Sequence, residues 1–116
     1  MSDVHMEANF RAYWNEMAKS VHQTAIDKGW WDDPRNDGEM VALMHSELSE
    51  ALEGLRAGNP PDDKVPEFSS AEAELADVVI RIMDMSKARG WDVAGALIAK
   101  AAMNRTREHK HGGKLF

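Results

Sequence analysis

The strongest constraint on this chain is a pair of acidic motifs, each set in a segment with helical periodicity. Glu47 and Glu50 form the first motif, and Glu74 and Asp77 form the second. Residues three apart in a helix share one face, with Cβ atoms about 5–6 Å apart, so the two acids of a motif repel each other unless a positive charge lies between them. If the two helices pack side by side, four carboxylates converge, and such oxygen ligands suit Mg²⁺ or Mn²⁺.

The residues around both motifs are mostly apolar. On a helical projection Glu47 is bordered by Leu43, Met44 and Ala51. The segment 75–85 is apolar nearly all round, and its helix has one polar strip, which consists of Glu74, Asp77, Arg81 and Asp84. Because a surface helix shows roughly the reverse proportion, this segment is predicted to be a buried helix with a charged seam.

Two structural explanations compete with a metal site. A single pair of acids three residues apart is most often a solvated surface feature, since Glu is common in helices. Arg81 also lies one turn from Asp77 and one turn from Asp84, so it could neutralise both in a network that needs no ligand. Two acid pairs on apolar segments, joined by a proline-containing break that lets the helices run antiparallel, favour the metal site.

Length and composition exclude several classes of protein. A chain of 116 residues forms one domain, residues 1–116, and a catalytic pocket would use much of its small interior, so a dimer is expected. The absence of Cys excludes disulfides, thiolate zinc sites and cysteine nucleophiles. A net charge of −6 argues against a nucleic-acid partner. No apolar run approaches the roughly 20 residues of a membrane span, and no signal peptide is visible, so a soluble, cytoplasmic protein with no membrane partner is expected.

Four segments have helical periodicity, and none has the alternation of a strand. Their predicted ranges are about 3–28, 39–56, 70–89 and 92–107. Asn36 or Asp37 is predicted to cap the second helix, and Ser69 or Ser70 the third. The prolines in the stretch 59–66 cannot continue a helix, so this stretch is a linker or a flap. The predicted fold is all-α, a four-helix antiparallel bundle or a close variant.

Polar and aromatic residues outside the acidic motifs are candidates for substrate binding. Trp30 and Trp31 are adjacent in a loop, where they either cover the core or line a pocket. The fourth helix carries a polar stripe, which consists of Lys100, Asn104 and Arg107. That stripe is either an ordinary solvated face or, beside four carboxylates, a clamp for phosphate and sugar. The glycine-containing tail, residues 109–114, is either a frayed end or an anion-binding nest.

With these residues, the chain resembles the MazG-like members of the all-α nucleoside-triphosphate pyrophosphohydrolase superfamily. The resemblance is carried by the two acidic motifs, the prolines between them, the Lys100 and Asn104 pair, and His-Gly-Gly-Lys at 111–114. It implies a MazG fold assembled as a tight dimer or a dimer of dimers, with Lys100 and Asn104 in contact with the nucleotide. The superfamily includes dUTPases and phosphoribosyl-ATP pyrophosphohydrolases, so the fold does not choose the substrate. The implied Mg²⁺ ligands are Glu47, Glu50, Glu74 and Asp77.

The predicted reaction is hydrolysis of a nucleoside or deoxynucleoside triphosphate between the α and β phosphates, which gives a nucleoside monophosphate and pyrophosphate. Bound Mg²⁺, for which Mn²⁺ can substitute, would activate a water and neutralise charge on the phosphoryl oxygens. Glu47 or Glu50 is predicted to accept the proton of the attacking water.

The predicted substrate contacts are of three kinds. Cations hold the outgoing pyrophosphate, a side-chain amide hydrogen-bonds to the sugar or a phosphate, and an indole ring stacks on the base. The residues are Lys100, Arg107 and Lys110 for the pyrophosphate, Asn104 for the sugar or phosphate, and Trp30 or Trp31 for the base, with His45 as a weaker candidate.

Two functions from other classes match parts of the pattern. A di-metal carboxylate oxidase bundle also carries inward-facing acids on four helices, but it needs Glu-x-x-His on two of them. Here that spacing occurs at Glu108 and His111, in a glycine-flanked tail. A noncatalytic helical dimerisation module would pair the acids with Arg81 or with a partner's cations, and it predicts no stabilisation by Mg²⁺.

Overall fold

The chain folds into four α-helices in a computed structural model that describes residues 4–107, and no β-strand lies in that range. The helices are α1 (Val4–Asp27), α2 (Asp37–Arg56), α3 (Ser70–Arg89) and α4 (Val93–Arg105). The all-α prediction is confirmed, and every helix end lies within two residues of the predicted position. None of these four helices combines the length and the apolar character that crossing a membrane requires.

Side-chain caps determine where α2 and α3 begin. The Asn36 side chain accepts a hydrogen bond from the backbone N–H of Glu39 at 2.7 Å. Ser69 and Glu72 form a reciprocal capping box, in which each side chain accepts from the other residue's backbone N–H. Such caps stabilise a helix by about 1 kcal/mol each, because they satisfy N–H groups that have no partner within the helix. Each cap lies at one of the two positions predicted.

α3 is the central helix, since both α1 and α2 pack against it. α2 and α3 run antiparallel: Arg89, at the end of α3, donates to Asp37, at the start of α2. At the other end Ser70 lies so close to Gly54 that a Cβ on Gly54 would collide with its hydroxyl. α4 packs mainly against α1. The antiparallel pair therefore brings the second half of α2 against the first half of α3.

The described residues form a small apolar core. Its buried apolar side chains are Ala18, Met40, Ala51, Ala71, Met83, Met85 and Ala94. No large side chain in the described range is fully withdrawn from solvent. The prediction that α3 is a buried helix with a charged seam is wrong for one chain, because α1 and α2 cover only part of its circumference. Leu75 remains 50% exposed and Ile80 44% exposed.

α2 also presents an apolar stripe to solvent. Leu48, Leu52 and Leu55 are each about half exposed, and their four- and three-residue spacing places them on one face. Long leucine side chains at this spacing are typical of a helix that packs against another helix. In the single chain nothing within residues 4–107 covers them fully.

The proline loop, residues 59–69, has a defined conformation between α2 and α3. The backbone N–H of Asp62 donates to the carbonyl oxygen of Phe68 at 2.9 Å, which closes the loop on itself. The Asp62 side chain accepts from the backbone N–H groups of Lys64 at 2.9 Å and Val65 at 3.0 Å. An aspartate that bonds to its following backbone in this way fixes a turn. The stretch predicted to be a linker or a flap is therefore internally braced.

Candidate metal centre

Three of the four predicted acidic ligands converge between α2 and α3. One carboxylate oxygen from each of Glu47, Glu50 and Glu74 lies within 4.8 Å of the other two. Glu47 and Glu74 are half-buried, while Glu50 is exposed. The convergence follows from the antiparallel packing, which places the acidic face of α2 opposite the first turns of α3. We refer to Glu47, Glu50 and Glu74 as the glutamate triad.

Glu74 is the least satisfied member of the triad. Its Oε2 atom is buried and has no hydrogen-bond partner among the described residues. Burial, the adjacent carboxyl groups of Glu47 and Glu50, and the charge of Asp77 raise the pKa of Glu74 to about 7. Burying an unpaired carboxylate is costly, and a cation beside the oxygen would remove that cost.

Asp77 lies one turn beyond Glu74 on α3 and is not among the three residues with converging oxygens. It is nevertheless part of the same electrostatic environment. Burial raises its pKa above the ordinary value, as do the charges of Glu47, Asp62 and Glu50, while Arg81 acts in the opposite direction. Asp77 also lines the same cavity as the triad. Its predicted role as a fourth ligand stays a prediction.

Arg81 forms an ion pair with Glu47. Its Nε and Nη2 atoms donate to the Oε1 atom of Glu47 at 3.1 and 2.9 Å. One alternative predicted that Arg81 neutralises Asp77 and Asp84 on its own helix. The hydrogen bonds of Arg81 instead run to Glu47 on α2. Both hydrogen bonds are accepted by the Oε1 atom of Glu47, and the Oε2 atom of Glu47 takes no part in them. The pair thus brings one positive charge to a group of three carboxyl groups.

The triad opens into a cavity of about 870 Å³. This volume is within the range of roughly 300–1,000 Å³ that is common for small-molecule sites. Acidic residues of α2 and α3 form one wall, and Ala73, Ala76 and Ile80 extend it along α3. The proline loop forms the opposite wall through Asp62, Asp63, Lys64, Val65 and Phe68.

A smaller cavity of about 220 Å³ adjoins the first and shares Glu47, Asp77 and Ile80 with it. Trp30 lines this smaller cavity together with Arg35 and Arg81. The Trp30 side chain is 57% exposed, and the guanidinium of Arg35 lies 5.8 Å from its ring centre. The smaller cavity therefore contains an exposed indole, two arginines and one member of the triad, Glu47.

Trp31 points to a different environment, the buried carboxylate of Asp84. Its Nε1 atom donates to Asp84 at 2.9 Å, and the Nδ1 atom of His22 lies 2.7 Å from the same oxygen. Arg35 completes the network with a longer contact of 3.4 Å to the other oxygen and covers the Trp31 ring at 4.9 Å. Trp31 lines neither of the two cavities and belongs to this network.

The predicted substrate-binding residues in α4 and just beyond its end at Arg105 are not brought to the triad within one chain. Lys100, Asn104 and Arg107 are exposed, and none lines either of the two cavities. His45 is also exposed and lies outside both linings. Lys110 lies outside the described residues. The roles of these five residues stay predictions.

Among the cavity residues that were not predicted as part of the site are Lys64, Val65 and Phe68 of the proline loop. The signal that could have found them is the Pro-Pro-Asp start of the loop, since Asp after Pro favours a turn braced by its own side chain. A braced loop between two acidic helices has to fold over one of their faces. The prolines by themselves predicted where α2 ends, but not the path of the loop that follows it.

The donor set of the triad fits a hard divalent cation. Three carboxylates with no His or Cys favour Mg²⁺, Mn²⁺ or Ca²⁺ over zinc or copper. The unpartnered Glu74 oxygen provides a place where such a cation would satisfy a buried polar atom. No protein-family model, curated protein or solved structure matches the chain. The MazG-like resemblance therefore stays a prediction that rests on the motifs.

Proposed function

We propose that this chain is a nucleoside-triphosphate pyrophosphohydrolase, which cleaves its substrate between the α and β phosphates with Mg²⁺, or Mn²⁺ in its place. The proposal assigns the metal to the glutamate triad together with Asp77. The observation that carries it is the buried, unpartnered oxygen of Glu74 beside two further carboxylates, at the wall of a nucleotide-sized cavity. Such an arrangement is unfavourable without a cation and favourable with one.

The residues of the triad have different parts in the proposed reaction. When bound, the cation supplies positive charge for the phosphoryl oxygens and lowers the pKa of a water. Glu50 is the proposed general base, because its side chain is exposed and lines the cavity. Glu47 is less suited to accept a proton, since Arg81 already donates two hydrogen bonds to it. Arg81 instead offsets part of the negative charge of Glu47.

We propose that the active form is a homodimer or a homotetramer. The interior of one chain is thin, and α2 exposes the stripe of Leu48, Leu52 and Leu55. A second copy would bury these side chains and gain about 25 cal/mol for each Å² of apolar surface removed from water. It is also the proposed route by which Lys100 and Asn104 of α4 reach a triad, since α4 packs mainly against α1 in its own chain.

The two other functions receive less support. A di-metal oxidase bundle needs histidine among its ligands, whereas the metal-binding group within residues 4–107 contains glutamate alone. A noncatalytic dimerisation module accounts for the ion pair between Arg81 and Glu47. It leaves unexplained why Glu50 and Glu74 lie against the same carboxylate.

The proposal is tested by offering the natural ribo- and deoxyribonucleoside triphosphates with Mg²⁺ and measuring both pyrophosphate and monophosphate. Glu50→Gln should lower the best rate by at least about 100-fold, because it removes the general base and a ligand charge. Glu53→Gln is the matched control, since Glu53 lies on the same helix, pairs with Arg56 and does not line the cavity. Equal rates in the two variants would remove Glu50 from the site.

Thermal unfolding separates the proposal from a noncatalytic module. Mg²⁺ should stabilise the wild-type chain and the Glu53→Gln variant, because it binds the folded state, and it should stabilise Glu50→Gln less. A wild-type chain with no response to Mg²⁺, and no pyrophosphate from any triphosphate, would favour the dimerisation module.

A further inference from the structure

The cavity beside the triad is unbalanced in charge. Its acidic lining residues are Glu47, Glu50, Asp62, Asp63, Glu72, Glu74 and Asp77. Within the described residues that line it, Lys64 is the one cation. A polyphosphate would add further negative charge to this space, so a phosphate not held by the metal needs a cation from the protein. Lys64 is the side chain that the chain itself places there.

The same cavity has an apolar surface that the described chain leaves partly uncovered. Phe68 is 51% exposed and Val65 is 40% exposed, and both line the cavity from the proline loop. Ile80 faces the same space from α3. A phenyl ring held at the wall of a polar site is a platform on which a planar group can stack, and every nucleobase offers such a face.

The proline loop holds these side chains in place before any ligand arrives. The Asp62 side chain fixes the backbone at Lys64 and Val65, and the bond between Asp62 and Phe68 closes the loop. Asn59 ties the loop to α3 by accepting the backbone N–H of Ala71 at 2.9 Å. A braced loop loses less conformational entropy on binding than a free one, which favours its use as a binding surface.

The linings of the two adjoining cavities favour this loop over Trp30 as the platform for the base. Trp30 lines the cavity of about 220 Å³, whereas Phe68 lines the cavity of about 870 Å³. The space beside Trp30 is smaller than the roughly 300–1,000 Å³ of sites for drug-sized ligands, and its lining includes Glu47 of the triad but neither Glu50, Glu74 nor Lys64. The larger cavity holds the metal ligands, the cation and the apolar platform together.

We infer that the proline loop is the nucleotide clamp of this site, in which Phe68, supported by Val65, stacks on the base and Lys64 binds the polyphosphate. The inference rests on the proposed function, because it needs a nucleoside triphosphate as the ligand. It replaces Trp30 and Trp31 with Phe68 as the stacking residue. It also gives a single chain a phosphate-binding cation that does not depend on α4.

Binding measurements with two probes test the clamp in the full chain with Mg²⁺. One probe is an α,β-methylene nucleoside triphosphate, which cannot be cleaved at the proposed bond, and the other is inorganic tripolyphosphate, which has no base. Phe68→Ala should weaken the nucleotide about tenfold and leave tripolyphosphate unchanged. Lys64→Ala should weaken both probes by about tenfold, because it removes a charge-assisted contact to phosphate. Calorimetric titration gives both dissociation constants.

Three further variants make the result specific. Glu67→Ala is the loop control, since Glu67 is exposed and does not line the cavity, and it should bind both probes as the wild type does. Phe68→Leu keeps an apolar side chain and should lose less than Phe68→Ala. Trp30→Ala should leave the nucleotide constant unchanged. Circular dichroism establishes that each variant retains its helices.

The outcomes separate the clamp from the proposed function. If the wild type releases pyrophosphate but Phe68→Ala and Lys64→Ala bind the nucleotide normally, the clamp is overturned and the hydrolase stands. A loss of nucleotide binding in Trp30→Ala without one in Phe68→Ala overturns the clamp in favour of the smaller cavity. A wild-type chain that neither binds the analogue nor releases pyrophosphate overturns both.

Discussion

Asp84, which is buried, and Glu74, which is half-buried, are both acidic residues of α3, but their oxygens have different surroundings. Asp84 is 8% exposed and has His22, Trp31 and Arg35 as partners for its two oxygens. Glu74 has a buried oxygen with no partner among the described residues, and the nearest ionisable groups carry the same charge. The two sites lie on the same helix, about three turns apart.

The comparison separates two uses of a buried carboxylate. Where donors from the protein hydrogen-bond to the oxygens, as at Asp84, the acid connects elements of the fold. Asp84 connects α1, the segment 28–36 and α3. Where other carboxylates surround the acid, as at Glu74, the fold bears a cost that a bound cation would offset. The charge of the groups around a buried acid therefore says more about its role than the burial itself does.

The largest expected effect is on the Asp84 network. Asp84→Ala should lower the free energy of unfolding by about 3–5 kcal/mol, because it leaves Arg35 and the Trp31 N–H without their buried acceptor. Urea unfolding followed by circular dichroism measures the loss. Asp84→Asn keeps one acceptor oxygen and should lose less. A loss below about 1 kcal/mol in Asp84→Ala would show that the network contributes little to the fold.

Arg81 lies between the two acids and tests whether Glu47 belongs with the site. Arg81→Met should destabilise the metal-free chain by about 2 kcal/mol, since it removes two charge-assisted hydrogen bonds to a half-buried carboxylate. It should also strengthen Mg²⁺ binding, because the competing positive charge is gone. Unfolding with and without Mg²⁺ measures both effects. Unchanged or weaker Mg²⁺ binding would mean that Glu47 is not a ligand.

The features predicted from the sequence are those that depend on local pattern. Helical periodicity and capping residues determined the four helices, and the three-residue spacing of Glu47 and Glu50 placed both on one face. The proline break made an antiparallel pair of helices the simplest arrangement. That arrangement places Glu74 beside Glu47 and Glu50. Each of these steps uses residues close together along the chain.

The features that were missed depend on contacts between distant segments. Asp84 is 53 residues from Trp31 and 62 from His22, and no local pattern relates them. The position of Lys64 and Phe68 over the triad depends on the path of a loop, which periodicity does not describe. The exposed side of α3 was misjudged because an apolar helix can be covered by its own chain or by another, and its sequence is the same in both cases.

The smallest expected effect is the pH dependence that Glu74 gives to the stability of the chain. It is also the most direct test of the comparison between Glu74 and Asp84. Its pKa is about 7 in the folded chain and near 4.5 when unfolded, so between these values the folded state binds the extra proton. The stability of the metal-free chain should therefore fall as the pH rises from about 4.5 to 7 and stay lower above it.

Glu74→Gln removes this group while keeping its shape. At pH 8 the metal-free variant should be more stable than the wild type by roughly 1 kcal/mol, after allowance for solvent screening, and at pH 4 the two should be equal. With Mg²⁺ at pH 8 the order should reverse, because the variant lacks a ligand charge. Urea unfolding at both pH values, with and without Mg²⁺, gives the four comparisons. A variant that is less stable than the wild type at pH 8 without metal would show that the Glu74 carboxylate has a favourable partner, and it would place Glu74 with Asp84 among the structural acids.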